Sequence, residues 1–159
     1  MTRLPSLGPR GEGWVLIQGV LLVAIGLGGL TETPFSPEVL TPASVVGLLL
    51  LALGGLMALL GVRQLGSALT ALPHPRDGGD LVETGVYRFV RHPIYGGLVI
   101  AALGYGLAMH APVTGIAGSV VLLAFFRLKS AREEVWLEAR YPGYAAYRAR
   151  TRRILPLLY

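Results

Sequence analysis

Cysteine is absent from the 159 residues. That excludes disulfides, thiolate metal sites and a cysteine nucleophile. Histidine is scarce. His74, His92 and His110 stand far apart, without metal-ligand spacing, so no metal site is expected. Charge is scarce too: 14% of residues are charged, against about 25% in average soluble domains. What the chain has instead is apolar sequence, 53% of it, gathered into long uninterrupted blocks. Such segregation is the pattern of an integral membrane protein rather than of a soluble core. The length predicts one domain, 1–159.

The first charge-free run is 14–30, which at 17 residues is near the lower limit for a membrane span of about 17–25. A cleavable signal peptide is the competing reading, but Thr31-Glu32-Thr33-Pro34 lacks the small-x-small cleavage pattern. A proline-containing linker, 31–42, leads to a second run, 43–62, with Pro42 suited to its first turn. Residues 63–92 form a polar segment whose stretch Pro73–Asp80 is too rich in turn residues for continuous helix. A glycine-rich third run, 93–109, and a fourth, 113–126 or 128, flank the turn His110-Ala111-Pro112 and read as a helical hairpin. Helical character returns at Glu133–Arg140, is broken by Pro142-Gly143, and resumes in a short basic helix from Tyr144 to Arg153. With Trp136, Tyr141, Tyr144 and Tyr147, this tail suits a membrane interface. Small residues four apart (Ala24/Gly28, Gly97/Ala101, Ala102/Gly106) would let helices approach closely.

Charge placement orients these runs. Segments 1–13, 63–92 and 127–159 hold two, four and eight Lys/Arg, which is all 14. Linker 31–42 and turn 110–112 hold none, and two acids, Glu32 and Glu38. The positive-inside rule puts both termini in the cytoplasm. The expected fold is therefore all-α and integral to the membrane. It has four transmembrane helices (about 14–30, 43–62, 93–109 and 113–128), a C-terminal helical hairpin and cytoplasmic interfacial elements at 63–95 and 127–156. The lipid bilayer is its first partner. Arg148, Arg150, Arg152 and Arg153 are expected to meet anionic head groups, and no nucleic-acid partner is expected.

Two clusters could carry chemistry. The first is Tyr87-Arg88-Phe89-Val90-Arg91-His92-Pro93-Ile94-Tyr95. Pro93 biases His92 away from helical geometry, so the third helix should begin at Pro93. Its free N–H groups, with Arg88 and Arg91, could hold an anion. The same arginines and tyrosines could equally be interfacial anchors on lipid phosphates. The second cluster is Lys129, Arg132, Glu133 and Glu134, with Lys129 and Glu133 on one helical face. It reads either as a solvated helix start or as acids paired with Arg88, Arg91 or a cationic ligand. A hairpin of the last two runs returns Glu133 to the neighbourhood of His92. His74 and His110 are expected to have no role.

The run from Leu81 to Tyr95, with Glu133-Glu134, Tyr144-Ala145-Ala146-Tyr147 and Ile154-Leu155-Pro156 after it, resembles the signature of the isoprenylcysteine carboxyl methyltransferase family. That family is related to phospholipid N-methyltransferases. The resemblance covers about 63–156 and implies a membrane methyltransferase whose cofactor is S-adenosyl-L-methionine. It places cofactor contacts at Gly79, Asp80, Leu81, Val82, Tyr87, His92, Pro93, Ile94, Tyr95 and Glu133. Where the family carries a substrate-facing arginine, four residues before that Glu, this chain has Lys129, which lacks the bidentate fork, with Arg127 and Arg132 nearby. Lys129, Arg91 and Glu134 are accordingly the candidate catalytic residues.

Methyl transfer from a sulfonium needs positioning and charge stabilisation. Glu133 could bind an ammonium, Arg91 or His92 a carboxylate, and the faces of Tyr87 and Tyr95 a sulfonium. A carboxylate or thiolate acceptor needs no base, whereas an amine would need one such as Glu134. The implied acceptor is a lipophilic small molecule or prenylated substrate. A phospholipid N-methyltransferase is the alternative within the class. An NADPH-dependent membrane reductase is a rival, because sterol reductases carry a similar R-H-P-x-Y element, though Ile94 and Gly97 do not match it. A non-catalytic small membrane protein is the last alternative. The resemblance to bacterial relatives implies an inner or plasma membrane of that kind.

Overall fold

The structure, a computed structural model, describes residues 5–32 and 40–155. Most of the expected linker, including Pro34, Pro37 and Glu38, therefore lies outside the described residues, as do Arg3 and Pro156. Within them the chain is helical: α1 is Glu12–Thr31, α2 Pro42–Leu65, α3 Pro93–Ala108, α4 Pro112–Arg140 and α5 Tyr144–Arg150. Helices α2, α3 and α4 start where the sequence supplies a start signal. Thr41 and Ser44 form a reciprocal capping box ahead of α2, and prolines occupy the first turns of α2, α3 and α4. The turn before α4 is sharp, with His110 at φ 57. The α4 start is capped from another helix. Glu32, at the end of α1, accepts from the N–H groups of Val113 (3.0 Å) and Thr114 (2.7 Å). A hydrogen bond from the Thr114 side chain, with these two N–H groups, holds its carboxyl below the usual range.

Three helices, α1, α2 and α4, are long and apolar enough to cross a membrane, and α3 is a shorter apolar helix. At about 1.5 Å per residue α3 measures about 24 Å. Large apolar side chains on α1 and α2, among them Leu16, Val20, Leu27, Leu49 and Leu53, point away from the protein. In water such a surface would be a severe liability, and in lipid it is the required one. The chain is an integral membrane protein.

The main seam joins α2 to α3, and it works by omission of side chains. Gly47, Gly54 and Gly61 recur every seven residues on α2. A Cβ on Gly54 would lie 2.5 Å from Gly97 O and 2.6 Å from Ala101 N of α3. The reciprocal Cβ on Gly97 would strike Gly54 O at 2.5 Å. Of the expected close-approach pairs, Gly97/Ala101 lies on this seam, Gly106 abuts Gly115 of α4, and Gly28 abuts Thr114. The α2 stripe was not anticipated, because its spacing is seven rather than four. Helix α1 packs on α4 through Trp14 with Phe125 and through Ile25 with Gly118. The buried core gathers Trp14, Val99, Leu122, Phe125, Phe126 and Ile154.

Two expectations are corrected. No helix break follows the fourth apolar run. Residues 127–140 contain no breaker, so α4 continues as one helix to Arg140, and Pro142-Gly143 ends it. The last basic helix stops at Arg150 rather than Arg153. Residues 151–155 instead run extended beside 89–92: Arg91 N donates to Arg152 O (2.8 Å), His92 N to Arg153 O (2.9 Å) and Arg152 N to Phe89 O (2.9 Å). The segment before Pro93 cannot be helical, and its N–H groups need acceptors that the tail supplies.

Gly54→Val should force α2 away from α3 and destabilise the protein by about 1–3 kcal/mol or more, as overpacking does. The check is the thermal unfolding midpoint in detergent, against Gly55→Val, where a Cβ meets nothing within 4 Å.

Candidate functional site

At the end of the bundle where α2 and α4 finish and α3 begins, a cavity of about 350 Å³ opens. Gly79, Asp80, Leu81 and Val82 from the loop line it, with Tyr87, Arg91, His92, Ile94 and Tyr95, and with Lys129 and Glu133 from α4. Two of the expected residues, Pro93 and Glu134, stand behind the lining. Pro93 packs near Gly61 of α2, where it fixes the start of α3. Expected residues from three separated stretches thus converge on one space, of a size that small-molecule sites occupy.

The walls are held by backbone-directed hydrogen bonds. Tyr141 donates to Gly79 O (2.6 Å), which ties the loop turn to the end of α4. Gln64 Oε1 accepts from Val86 N (2.8 Å), and Tyr87 donates to Gly61 O (3.2 Å), which ties the 85–88 turn to α2. Gly85 makes that turn possible. Its φ is +58, and a Cβ there would overlap the Gln64 amide at 2.2 Å. Burial raises the Tyr87 and Tyr144 phenols well above the ordinary range, so both remain neutral donors.

The adjacent acids part company. Glu133 faces the cavity and accepts from Tyr95 (2.8 Å), with His92 Nδ1 at 3.7 Å. Glu134 faces the opposite way, buried at 3% side-chain exposure. It meets Arg91 Nε (2.9 Å), His92 Nε2 (3.2 Å) and Arg153 (3.0 Å), with Arg148 at 3.9 Å. Neighbours on a helix are about 100° apart, which suffices to send one acid each way. Burial pushes the Glu134 carboxyl up. The hydrogen bonds and charges of His92 and Arg91 outweigh it and bring the group to about 2. A carboxylate so held is a poor proton acceptor near neutral pH.

Arg91 is likewise committed. Besides Glu134, its Nη1 donates to Thr151 O (2.5 Å) and Arg148 O (3.0 Å). Arg88 lies over the ring of Phe89, 4.5 Å from its centroid, and does not line the cavity. The expected anion site built from both arginines is therefore reshaped, with Arg91 binding Glu134 and the tail. Tyr95 stacks on both His92 (5.3 Å) and Phe126 (4.5 Å), so its faces have partners within the protein. Three of the four tail arginines also have partners within the protein, while Arg148, Arg150 and Arg152 stay exposed. Arg148 pairs with Glu138, Arg150 with Glu83 and Arg153 with Glu134. His74 donates its N–H to Arg10 O and sets its ring edge-on to Trp136 at 5.6 Å, a packing role in place of none.

Gln18 and Tyr144 are among the lining residues that the sequence reading did not assign to the site. Gln18 of α1 reaches the cavity and accepts from Lys129 Nζ at 2.5 Å. Its signal was there, as a lone amide in a charge-free run. Tyr144 lines the cavity while only 1% exposed, and its hydroxyl has no hydrogen-bond partner. A buried hydroxyl without a partner, on a residue of the cavity wall, is a candidate to meet a polar ligand atom.

The family model described as phospholipid methyltransferase matches residues 42–143. A rice protein (Oryza sativa subsp. indica) named "Probable protein-S-isoprenylcysteine O-methyltransferase" is 31% identical over 134 residues, which cover 81% of this chain and 70% of the relative. The Arabidopsis thaliana protein-S-isoprenylcysteine O-methyltransferase B is 32% identical over 94 residues, covering 58% and 48%. The human protein of that activity is 29% identical over 132 residues, covering 80% and 46%.

Glu134→Gln removes the shared counter-charge of Arg91 and Arg153 and should cost about 3–5 kcal/mol at neutral pH. Because the folded carboxyl is held below its usual value, its contribution is complete above about pH 4.5 and is lost as pH falls toward 2. Unfolding midpoints of the wild type and variant in detergent should therefore converge over that acidic window.

Proposed function

This chain belongs to the phospholipid methyltransferase family and is a membrane methyltransferase, and we propose that it transfers a methyl group from S-adenosylmethionine to a lipophilic, prenylcysteine-like carboxylate. The observation that carries this reading is the cavity itself. There the 79–82 loop, Tyr87, the His92–Tyr95 turn and Glu133 meet around an unpartnered Tyr144 hydroxyl.

The residues present fit the donor. Glu133 keeps carboxylate lone pairs beyond its contact with Tyr95 and can hold an ammonium. Tyr144 can donate to a polar atom, and the loop carbonyls and amides at 79–82 can bind a planar heterocycle. When bound, S-adenosylmethionine supplies a methyl group already activated by its sulfonium. The protein's part is to orient that group, keep water out and present the acceptor in line. Tyr87 is the lining phenol whose face is best suited to a cation, since Tyr95 has stacking partners.

The acceptor is read as a carboxylate on two grounds. The relatives named above are protein-S-isoprenylcysteine O-methyltransferases. A carboxylate also needs no proton removed, and Glu134, the base expected for an amine, stands behind the cavity lining with its oxygens filled by Arg91, His92 and Arg153. Glu134 and Arg91 then act as positioning residues behind the site, and Lys129 is the cation at the acceptor. The four apolar helices are read as four spans. The Lys/Arg fall in 1–13, 63–92 and 127–159, and the positive-inside rule supports reading that side and both termini as cytoplasmic.

Calorimetric titration of the detergent-purified protein with S-adenosylhomocysteine should show saturable binding. Glu133→Ala should abolish it, and Tyr144→Phe should weaken it about fivefold, the value of one hydrogen bond of about 1 kcal/mol. Labelled methyl groups should pass to a prenylcysteine carboxylate and not to phosphatidylethanolamine. A wild type that binds no S-adenosylhomocysteine, or methylates only the amine lipid, would overturn the proposal.

A further inference from the structure

Lys129 is the chain's single lysine, and it is 1% exposed. It stands three residues past Phe126, where the apolar stretch of α4 ends. A buried ammonium is costly unless a counter-charge accompanies it. The nearby acids have closer partners, Glu133 with Tyr95 and His92, and Glu134 with Arg91, His92 and Arg153, and Glu133 acts on Lys129 only through its charge at a distance. What Lys129 has is an amide, Gln18 Oε1 at 2.5 Å, and the ring of Tyr95, 5.1 Å from its centroid. Both are neutral, so neither contact forms a direct ion pair with the ammonium in the wall of the cavity that Lys129 lines.

Gln18 is unusual in its own helix. From Trp14 to Leu30 it is the only side chain with a hydrogen-bond acceptor, and it is the only residue of α1 that lines the cavity. An amide in an apolar membrane helix is unfavourable without a partner. Here the partner is the one buried lysine, 111 residues away. Val62, Leu65 and Leu69 supply an apolar stretch of the cavity wall. A cation held beside apolar lining suits an acceptor that has an anionic head and a hydrocarbon body.

We infer that Gln18 is a positioning residue that holds the Lys129 ammonium toward the cavity, where it receives the acceptor's carboxylate. Helix α1 thereby takes part in acceptor recognition. This rests on the methyl-transfer reading and extends it to residues that carry no family signature. Neutrality is the essential property of the amide. A carboxylate in its place would satisfy Lys129 better as structure and cancel its charge toward the acceptor.

That contrast supplies the test. The wild type, Gln18→Glu and Gln18→Leu are purified in detergent. Each is measured for S-adenosylhomocysteine affinity, unfolding midpoint, and kcat and KM with N-acetyl-S-farnesylcysteine. Gln18→Glu should raise KM about tenfold, the loss of one charge-assisted contact, with donor affinity unchanged and an unfolding midpoint at least that of the wild type. Gln18→Leu should raise KM less, because the charge survives without its tether. A Gln18→Glu protein with wild-type or lower KM would show the amide to be scaffold alone and overturn the inference. So would donor affinity falling with KM unchanged, which would assign Lys129 to the donor. A wild type that binds no S-adenosylhomocysteine removes the methyl-transfer reading and this inference with it. A wild type that methylates the probe with the same KM as both variants removes the inference alone.

Discussion

Glu134 is a buried negative charge at which three separate parts of the chain meet. Arg91 and His92 come from the segment before α3, Arg153 from the tail, and the acid itself from α4. A buried ion pair adds little net stability over an apolar substitute, but an incomplete one is severely unfavourable. The effect is therefore on arrangement. An assembly that leaves Arg91 or the tail elsewhere strands a charge. The cavity wall formed by His92 and Tyr95 takes its position from this requirement.

Two backbone constraints work in the same direction. Pro93 starts α3 and leaves the N–H groups just before it without helical partners. The carbonyls of Arg152 and Arg153 accept from Arg91 and His92, which brings Arg153 up to Glu134 and carries Ile154 into the core. A Cβ on Gly96 would lie 2.3 Å from Ile154 O, so the first turn of α3 stays bare on the side where the tail passes. On the α2 side, contact at Gly54 and Gly97 fixes how deeply α3 sits. The depth of α3 in turn sets where Tyr95 meets Glu133.

Much of this was legible in the residues. Charge-free runs and prolines marked the starts of the four long helices and the ends of α1, α2 and α3 to within a few positions, but not the end of α4. The pattern His92-Pro93-Ile94-Tyr95, with an acid some forty residues on, marked the site. The missed features share a cause. Gln18 lies far from its partner, and a lone amide does not name the residue it will bond. The tail pairing is a few hydrogen bonds long, too short to leave an alternating pattern. The protein partners of Arg148, Arg150 and Arg153 were not legible, because a basic run looks the same whether or not Glu138, Glu83 and Glu134 stand beside it.

The sequence by itself determined that the chain is helical and built for a membrane, because uninterrupted apolar runs leave the backbone no other way to satisfy its polar groups in lipid. It also determined which chemical groups could serve, since each motif is contiguous. Only the tertiary structure decided what each group does. Glu133 and Glu134 are adjacent and identical in type. One faces an open cavity and the other a cluster of cations, because about 100° of helical rotation separates them and the packing of α4 on α3 sets which way that rotation points.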